Sequence, residues 1–342
     1  MGFSRRHLLG SGLLGACALA APGLSEALTV RPRMRLILDN DFSGDPDGLF
    51  QLAHHLASPS VDIRLIVGSH IHVRDFLDGS DTQADNAVAR VEDVFRRMQL
   101  DRRPPVVAGR NAALPPDAAP QATPAVSRII AEAMRTDTKL PLVYAAGAGL
   151  TDLAAAVRLK PEIGGRLRLV WIGGMEYPGL NVGAPERHSP EYNLTIDLAA
   201  ARTIFNESDV EIWQVPRNVY RQMIVSCAEL TAGLRPAGAL GQFLLERVQS
   251  VISRVSYNLG ETYILGDSPL VTLTALQSSF DADTSSSACV VQPTPRLAAD
   301  GRYEPAAAGR PMRVYTAIDA RLTFADMFAK FAAVARQTPS DA

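Results

Sequence analysis

Aromatic residues are scarce: Phe, Trp and Tyr make up 6% of 342 positions, and they are not interleaved with Lys or Arg. That excludes the mixed aromatic and basic surface on which single-stranded nucleic acids stack. A basic excess is also missing. Lys and Arg number 34 against 36 Asp and Glu, for a net charge of -2 and a pI near 6.3. A phosphate-binding surface needs that excess, so a nucleic-acid polymer is excluded as partner. Only three cysteines occur, Cys17, Cys227 and Cys289, with no CxxC or Cys/His spacing for zinc. Cys227 and Cys289 either pair in an oxidising compartment or stay as two thiols, and both readings stay open. There is no internal repeat and no coiled-coil heptad.

What is present begins with an export signal. Ser4-Arg5-Arg6-His7-Leu8-Leu9 precedes a weakly apolar run, Leu8 to Ala21, rich in Gly and Ala. Paired arginines ahead of a short apolar stretch read as a twin-arginine signal over residues 1–27, with cleavage near Ala21 or Ala27. The run is too short to span a bilayer, so the mature chain is expected to have no transmembrane span. A periplasmic or secreted location follows. Leu14-Gly15-Ala16-Cys17 also resembles a lipobox, which would make the protein a lipoprotein anchored through Cys17. The alternative is a small apolar Cys within the signal.

Beyond the signal, residues 28–342 read as a single α/β domain: a mainly parallel central sheet flanked by helices. The expected strands are Met34–Asp41, Val61–His70, Pro105–Gly109, Leu140–Gly147, Leu167–Gly174 and Val210–Pro216. Apolar runs of this length read as buried parallel strands. Helical spacing appears at Leu49–Leu56, Ala84–Met98, Leu150–Leu159 and Ala199–Phe205. Such alternation means a parallel sheet covered on both faces. The last third is less regular, with helices expected at Leu240–Val255, Pro269–Leu276 and Phe324–Ala335 and strands at Cys289–Gln292 and Met312–Ile318. The Pro/Ala-rich stretch Ala112–Pro124 reads as a loop. Trp171 and Trp213 fall inside strand patterns and read as core, and His54 and His55 as structural.

The chemistry concentrates in Asp39-Asn40-Asp41-Phe42-Ser43-Gly44-Asp45-Pro46-Asp47-Gly48. Four aspartates within nine residues follow a buried strand, at the end of a parallel sheet where ligands bind. Crowded carboxylates repel one another, and a hard cation with oxygen ligands relieves that cost. Gly44 and Pro46 suit a turn, and Asp45 or Asp47 suits the cap of the next helix.

The segment resembles the aspartate motif of the inosine–uridine preferring nucleoside hydrolases, a Rossmann-like α/β family. Asp39 and Asp41 match its first two acidic positions. Asp45 and Asp47 stand for its final pair, spread by Pro46 as in a divergent nucleoside-hydrolase-like branch. Further similarities follow in order: Asn86-Ala87, Gly147 through Asp152, Gly173-Gly174-Met175, Glu191 through Asp197, and Asp267. Together they cover about residues 34 to 335.

The resemblance implies Ca²⁺ held by Asp41, Asp47, the Gly147 carbonyl and Asp267. It implies that Asp41 also acts as the catalytic base, and that Asp45, Asn86, Glu191, Asn193 and Met175 contact substrate. Which of Asp45 and Asp47 ligates the ion stays open. It further implies hydrolysis of the N-glycosidic bond of a ribonucleoside or related ribosyl compound, with water as nucleophile. The family's late Asp follows a His that protonates the leaving base, whereas Gly266 stands here. His70, His72 and His188 are the candidate replacements. Arg217, Tyr220 and Arg221 follow the sixth strand and are candidates for the pocket wall. Gly266 and the spread aspartates also admit a non-catalytic periplasmic binding protein for sugars or nucleosides. A homo-oligomer is compatible with either reading.

Overall fold

Seven consecutive residues, Met34–Asn40, form the first strand, and from Leu36 onward every side chain is buried. Such a run cannot stand at an edge; it needs a neighbour on each side and a helix layer on each face. The computed structural model of the chain supplies both. It describes residues 29–115, 119, 121–180, 189–277 and 287–337. The chain divides into Met1–Val30, of which only the exposed Thr29 and Val30 are described, and a compact unit, Arg31–Ala342. The export signal, Cys17 and His188 lie outside the described residues. Among the described residues, no helix is long and apolar enough to cross a membrane.

The strands are β1 (Met34–Asn40), β2 (Val61–Gly68), β3 (Val106–Ala108), β4 (Leu142–Ala146), β5 (Leu167–Ile172), β6 (Glu211–Val215), β7 (Ile224–Ser226), β8 (Thr262–Ile264), β9 (Ser287–Pro293), β10 (Arg296–Leu297), β11 (Tyr303–Glu304) and β12 (Pro311–Ile318). Eight of them form the central sheet in the order β3-β2-β1-β4-β5-β6-β12-β9. Every pair is parallel except β12 with the edge strand β9. The expected mainly parallel sheet is present, with each early strand one to three residues shorter than its apolar run. β7 and β8 form a separate antiparallel ribbon, as do β10 and β11.

The helices are α1 (Asp47–Leu56), α2 (Gln83–Met98), α3 (Pro124–Ala133), α4 (Thr151–Leu159), α5 (Tyr192–Ile196), α6 (Leu198–Glu207), α7 (Arg217–Tyr220), α8 (Cys227–Leu234), α9 (Gly238–Ile252), α10 (Pro269–Val271) and α11 (Ala320–Gln337). A π-helical turn, Thr272–Leu276, extends α10. Side chains of α1, α2, α8, α9 and α11 fill one core cluster against the sheet, and those of α3, α4 and α6 fill the other. Each fully buried Leu, Ile or Val contributes about 1.5–3 kcal/mol. Trp171 and Trp213 are buried as expected. Helix α3 was not anticipated; Thr123 caps it by accepting from the Val126 N–H, and Pro124 opens its first turn.

The strand order reverses direction between β1 and β4. In sheets of this kind the crevice beyond the strand ends at that point is where ligands sit. Asn40 and Ala146 end those two strands, so Gly147 follows beside Asn40 and Asp41 one residue beyond.

Candidate functional site

Beyond β1 the chain turns tightly, with the Gly44 N–H on the Asp41 carbonyl at 2.7 Å. A Cβ on Gly44 would sit 3.1 Å from that carbonyl and from Ile71, so the turn favours glycine. Pro46 then starts α1, and its fixed φ of -68° already suits a helix. The Asp47 N–H donates to Asp45 Oδ1 (3.2 Å), and Asp47 Oδ1 accepts from the Gly48 N–H (2.8 Å). Asp45 is clamped from the far end of the chain by the Tyr263 hydroxyl, 3.0 and 3.1 Å from its two oxygens.

Asp267 closes the same space. Its N–H donates to Asp47 Oδ2 (3.2 Å), and its Oδ2 accepts from the buried amide of Asn40 (2.9 Å). Gly147 lies against this pair: a Cβ there would collide with Asn40 Nδ2 and fall 2.8 Å from Asp267 Oδ2. Asp41, Asp45, Asp47, Gly147 and Asp267 all line one cavity of about 450 Å³. The elements that bring them together are the ends of β1 and β4 and the start of α10.

The charge balance of that cavity is one-sided. Burial, then Asp267, Asp45 and Asp75, push the Asp41 carboxyl well above the usual carboxylate range. Burial and then Asp267, Asp45 and Asp41 do the same to Asp47. Asp267 rises to about 7, from burial and the nearby Asp45 and Glu191, against the hydrogen bond from Asn40. Beneath the floor, Asp39 is also raised to about 7, by burial and then by Asp152, although Ser69 and Tyr144 both donate to it. Carboxylates that hold each other's protons on are a site lacking positive charge. Three carboxylates and a peptide carbonyl are the all-oxygen donor chemistry of a hard divalent cation. Among the described residues, no three His, Cys, Asp or Glu side chains are already gathered into an ion-holding cluster.

The other sequence candidates divide. Arg217, Tyr220 and Arg221 do line the cavity. Arg217 is fully engaged, with Nε and Nη2 on Glu176 (2.7 and 2.6 Å) and Nη1 on the Ser189 carbonyl (2.9 Å). Asn193 lines the cavity but spends both amide hydrogens on the carbonyls of Gly147 (3.0 Å) and Ile172 (2.8 Å). Only its Oδ1 remains for a ligand.

Glu191 lines the cavity, with its carboxylate already engaged by other parts of the protein. Its Oε1 accepts from the Asn193 N–H (3.1 Å) and the Tyr220 hydroxyl (2.8 Å), and its Oε2 from the N–H groups of Gly174 (2.7 Å) and Leu194 (2.9 Å). Four donors use up its lone pairs. It caps α5 and fastens Tyr220 to the wall.

Asn86 is placed elsewhere: it donates to Asp78 (2.9 Å) and Ser80 (3.0 Å) and does not line the cavity. Met175 packs on the core cluster behind β5. His70 is buried against the Ile71 carbonyl and the Thr151 hydroxyl, and His72 lies against Tyr192 and Thr195; neither lines the cavity. The space beside Gly266 is filled by the Tyr220 ring, whose Cδ2 would be 3.1 Å from a Cβ at 266. His54 and His55 are buried in α1, on Asp326 and on Thr274 and Gln51. Cys227 and Cys289 are free.

Sequence reasoning missed Asp75, Phe76, Tyr192 and Tyr257, which complete the wall. Phe76 and Tyr257 are 61% and 68% exposed, although large aromatics are ordinarily buried. They come from loops after β2 and α9, where no periodicity marks a role.

The model of the family described as inosine-uridine preferring nucleoside hydrolase matches residues 36–325. No curated protein matches this chain in sequence. Among solved structures, a purine-preferring ribonucleoside hydrolase from Gardnerella vaginalis is similar, at 19% identity and a TM-score of 0.64, over 89% of this chain and all of that one. A plant nucleoside hydrolase matches at 18% identity and 0.65, over 88% of this chain and all of its own. An inosine-uridine preferring nucleoside hydrolase from Bacillus anthracis matches at 20% and 0.61, over 88% of this chain and 99% of that one. At such identities the three attest the shared fold.

Proposed function

The chain belongs to the inosine-uridine preferring nucleoside hydrolase family, and from that premise we propose that it hydrolyses the N-glycosidic bond of a ribosyl compound with the help of a divalent cation, Ca²⁺. The observation that carries the reading is the convergence of Asp41, Asp47, Asp267 and the Gly147 carbonyl on one cavity. Those four would hold the ion, after small side-chain rotations that the mutual repulsion of the carboxylates otherwise opposes. Asp45, held in place by Tyr263, is left for a sugar hydroxyl. A cation bound there supplies Lewis acidity toward a water and the sugar hydroxyls.

The protein's own groups do the rest. Asp41 is buried and raised in pKa, which suits it to take the proton of the attacking water as the water closes on the anomeric carbon. Asn193 steadies Gly147 from the other side. The exposed rings of Phe76 and Tyr257 flank the cavity and suit a flat base as leaving group. The glycosidic C–N bond breaks, the anomeric carbon takes the hydroxyl, and the base leaves with a proton. Among the described residues no histidine lines the cavity to donate that proton.

That last point also favours the second reading, a protein that binds a nucleoside or sugar without cleaving it. Release of free base from inosine or uridine, with and without Ca²⁺, separates the two. Base release that vanishes under chelation supports hydrolysis. Stabilisation by ribose with no base released supports the binder. The twin-arginine segment supports a periplasmic or secreted setting for either activity.

A further inference from the structure

Two cationic side chains line the cavity among the described residues, Arg217 and Arg221, against the carboxylates Asp41, Asp45, Asp47, Asp75, Glu191 and Asp267. Their situations differ. Arg217 is held on Glu176 and Ser189 and has become part of the wall. Arg221 is half-buried, and its guanidinium has neither a carboxylate nor a hydrogen-bond acceptor among the described residues. Its backbone is fixed, since its N–H closes α7 on the Arg217 carbonyl at 3.2 Å. The Glu191 carboxylate, in the same cavity wall, is already saturated by four donors and is spent as a partner.

A planar guanidinium with five unspent donors in a cavity wall matches an oxyanion in shape and charge. We infer that Arg221 marks an anion subsite at the edge of the ribosyl cavity, so that the preferred substrate carries a negative group. This rests on the ribosyl reading above. Two sources fit the chemistry: a phosphate on the ribose 5′ oxygen, or a carboxylate on the base. A cavity of about 450 Å³ is within the usual range for a ligand of that size.

The experiment compares kcat/KM for uridine, uridine 5′-monophosphate and 6-carboxyuridine, in the wild type and in Arg221→Gln, with Ca²⁺ present. The inference expects one anionic compound to be preferred over uridine, and that preference to fall about tenfold to a hundredfold in Arg221→Gln, as for loss of a charge-assisted hydrogen bond. Preference for the monophosphate assigns the subsite to the sugar end, and preference for 6-carboxyuridine to the base. Uridine equal to or better than both, or the same preference ratio in Arg221→Gln, overturns it. If no compound is cleaved, calorimetry compares ribose 5-phosphate with ribose and 6-carboxyuracil with uracil. Tighter binding of an anion that weakens in Arg221→Gln sustains the subsite while the hydrolase reading fails. Equal binding within both pairs removes the subsite.

Discussion

The side-chain amide of Asn40 donates to the carboxylate of Asp267 at 2.9 Å, across 227 positions of sequence. Asn40 also donates to Gln51 and accepts from the Asp41 N–H (2.8 Å), so one buried residue fixes both the first and the last acid of the site. Asn40→Ala should cost about 1–3 kcal/mol of stability, the usual result of orphaning buried polar groups. Urea unfolding measures this. A midpoint within error of the wild type would mean Asn40 is no organiser.

Asp41 and Asp267 should separate chemistry from ion binding. Asp267→Ala is expected to lose Ca²⁺ binding and base release together. Asp41→Asn keeps an oxygen for the ion but cannot take a proton, so base release should drop about 100- to 10,000-fold. Calorimetry with Ca²⁺ alongside turnover reads both. Undiminished turnover with tightly bound ion in Asp267→Ala would remove that residue from the site.

Calcium affinity should rise with pH. Asp267, raised to about 7 by burial, Asp45 and Glu191, keeps its proton through mildly acidic solution. An ion must displace that proton, so affinity grows as pH climbs and levels off above about 7. Without the ion the sign for stability is opposite. A carboxyl whose folded pKa lies above its unfolded value near 4 stabilises at low pH, and that share is lost as pH rises through about 7. The difference in melting temperature between calcium and chelator should therefore widen from about pH 5 to pH 8. A constant difference would place the ion away from Asp267.

The histidines of α1 predict an acid limb. Burial, more than any neighbour, lowers the pKa of His54 and His55. Asp326 is held below its ordinary value, despite burial, by the hydrogen bonds of His54 and Lys330. All three have folded values below the unfolded ones, so their stabilisation is complete above about 6.5 and drains away as pH falls through the folded values. His54→Gln should make that limb shallower in thermal melts without Ca²⁺. An unchanged slope would put the acid sensitivity elsewhere.

Much of the fold was legible because parallel strands buried on both faces leave unbroken apolar runs, as at Met34–Asn40 and Leu167–Ile172. Helix α3 escaped because its Thr-Pro start lies at the end of a Pro/Ala-rich stretch read as loop. In the site, the aspartates after β1 could be read because four carboxylates in nine residues repel one another unless a cation joins them. Glu191 and Asn86 had the expected residue types, yet spacing does not reveal that Glu191 is met by the N–H groups of Gly174, Asn193 and Leu194, or that Asn86 is met by the side chains of Asp78 and Ser80. Asp75 and Tyr257 sit in irregular loops, and only folding turns them toward the cavity.

The clamp of Tyr263 on Asp45, joining positions 218 apart, carries one more consequence. A chain emerging from the ribosome would hold its opening acids early but could not assemble them until β8 and α10 had been synthesised. A fragment ending before residue 260 should be blind to the ion, and the ion should act on the whole chain as a late clasp that slows its unravelling.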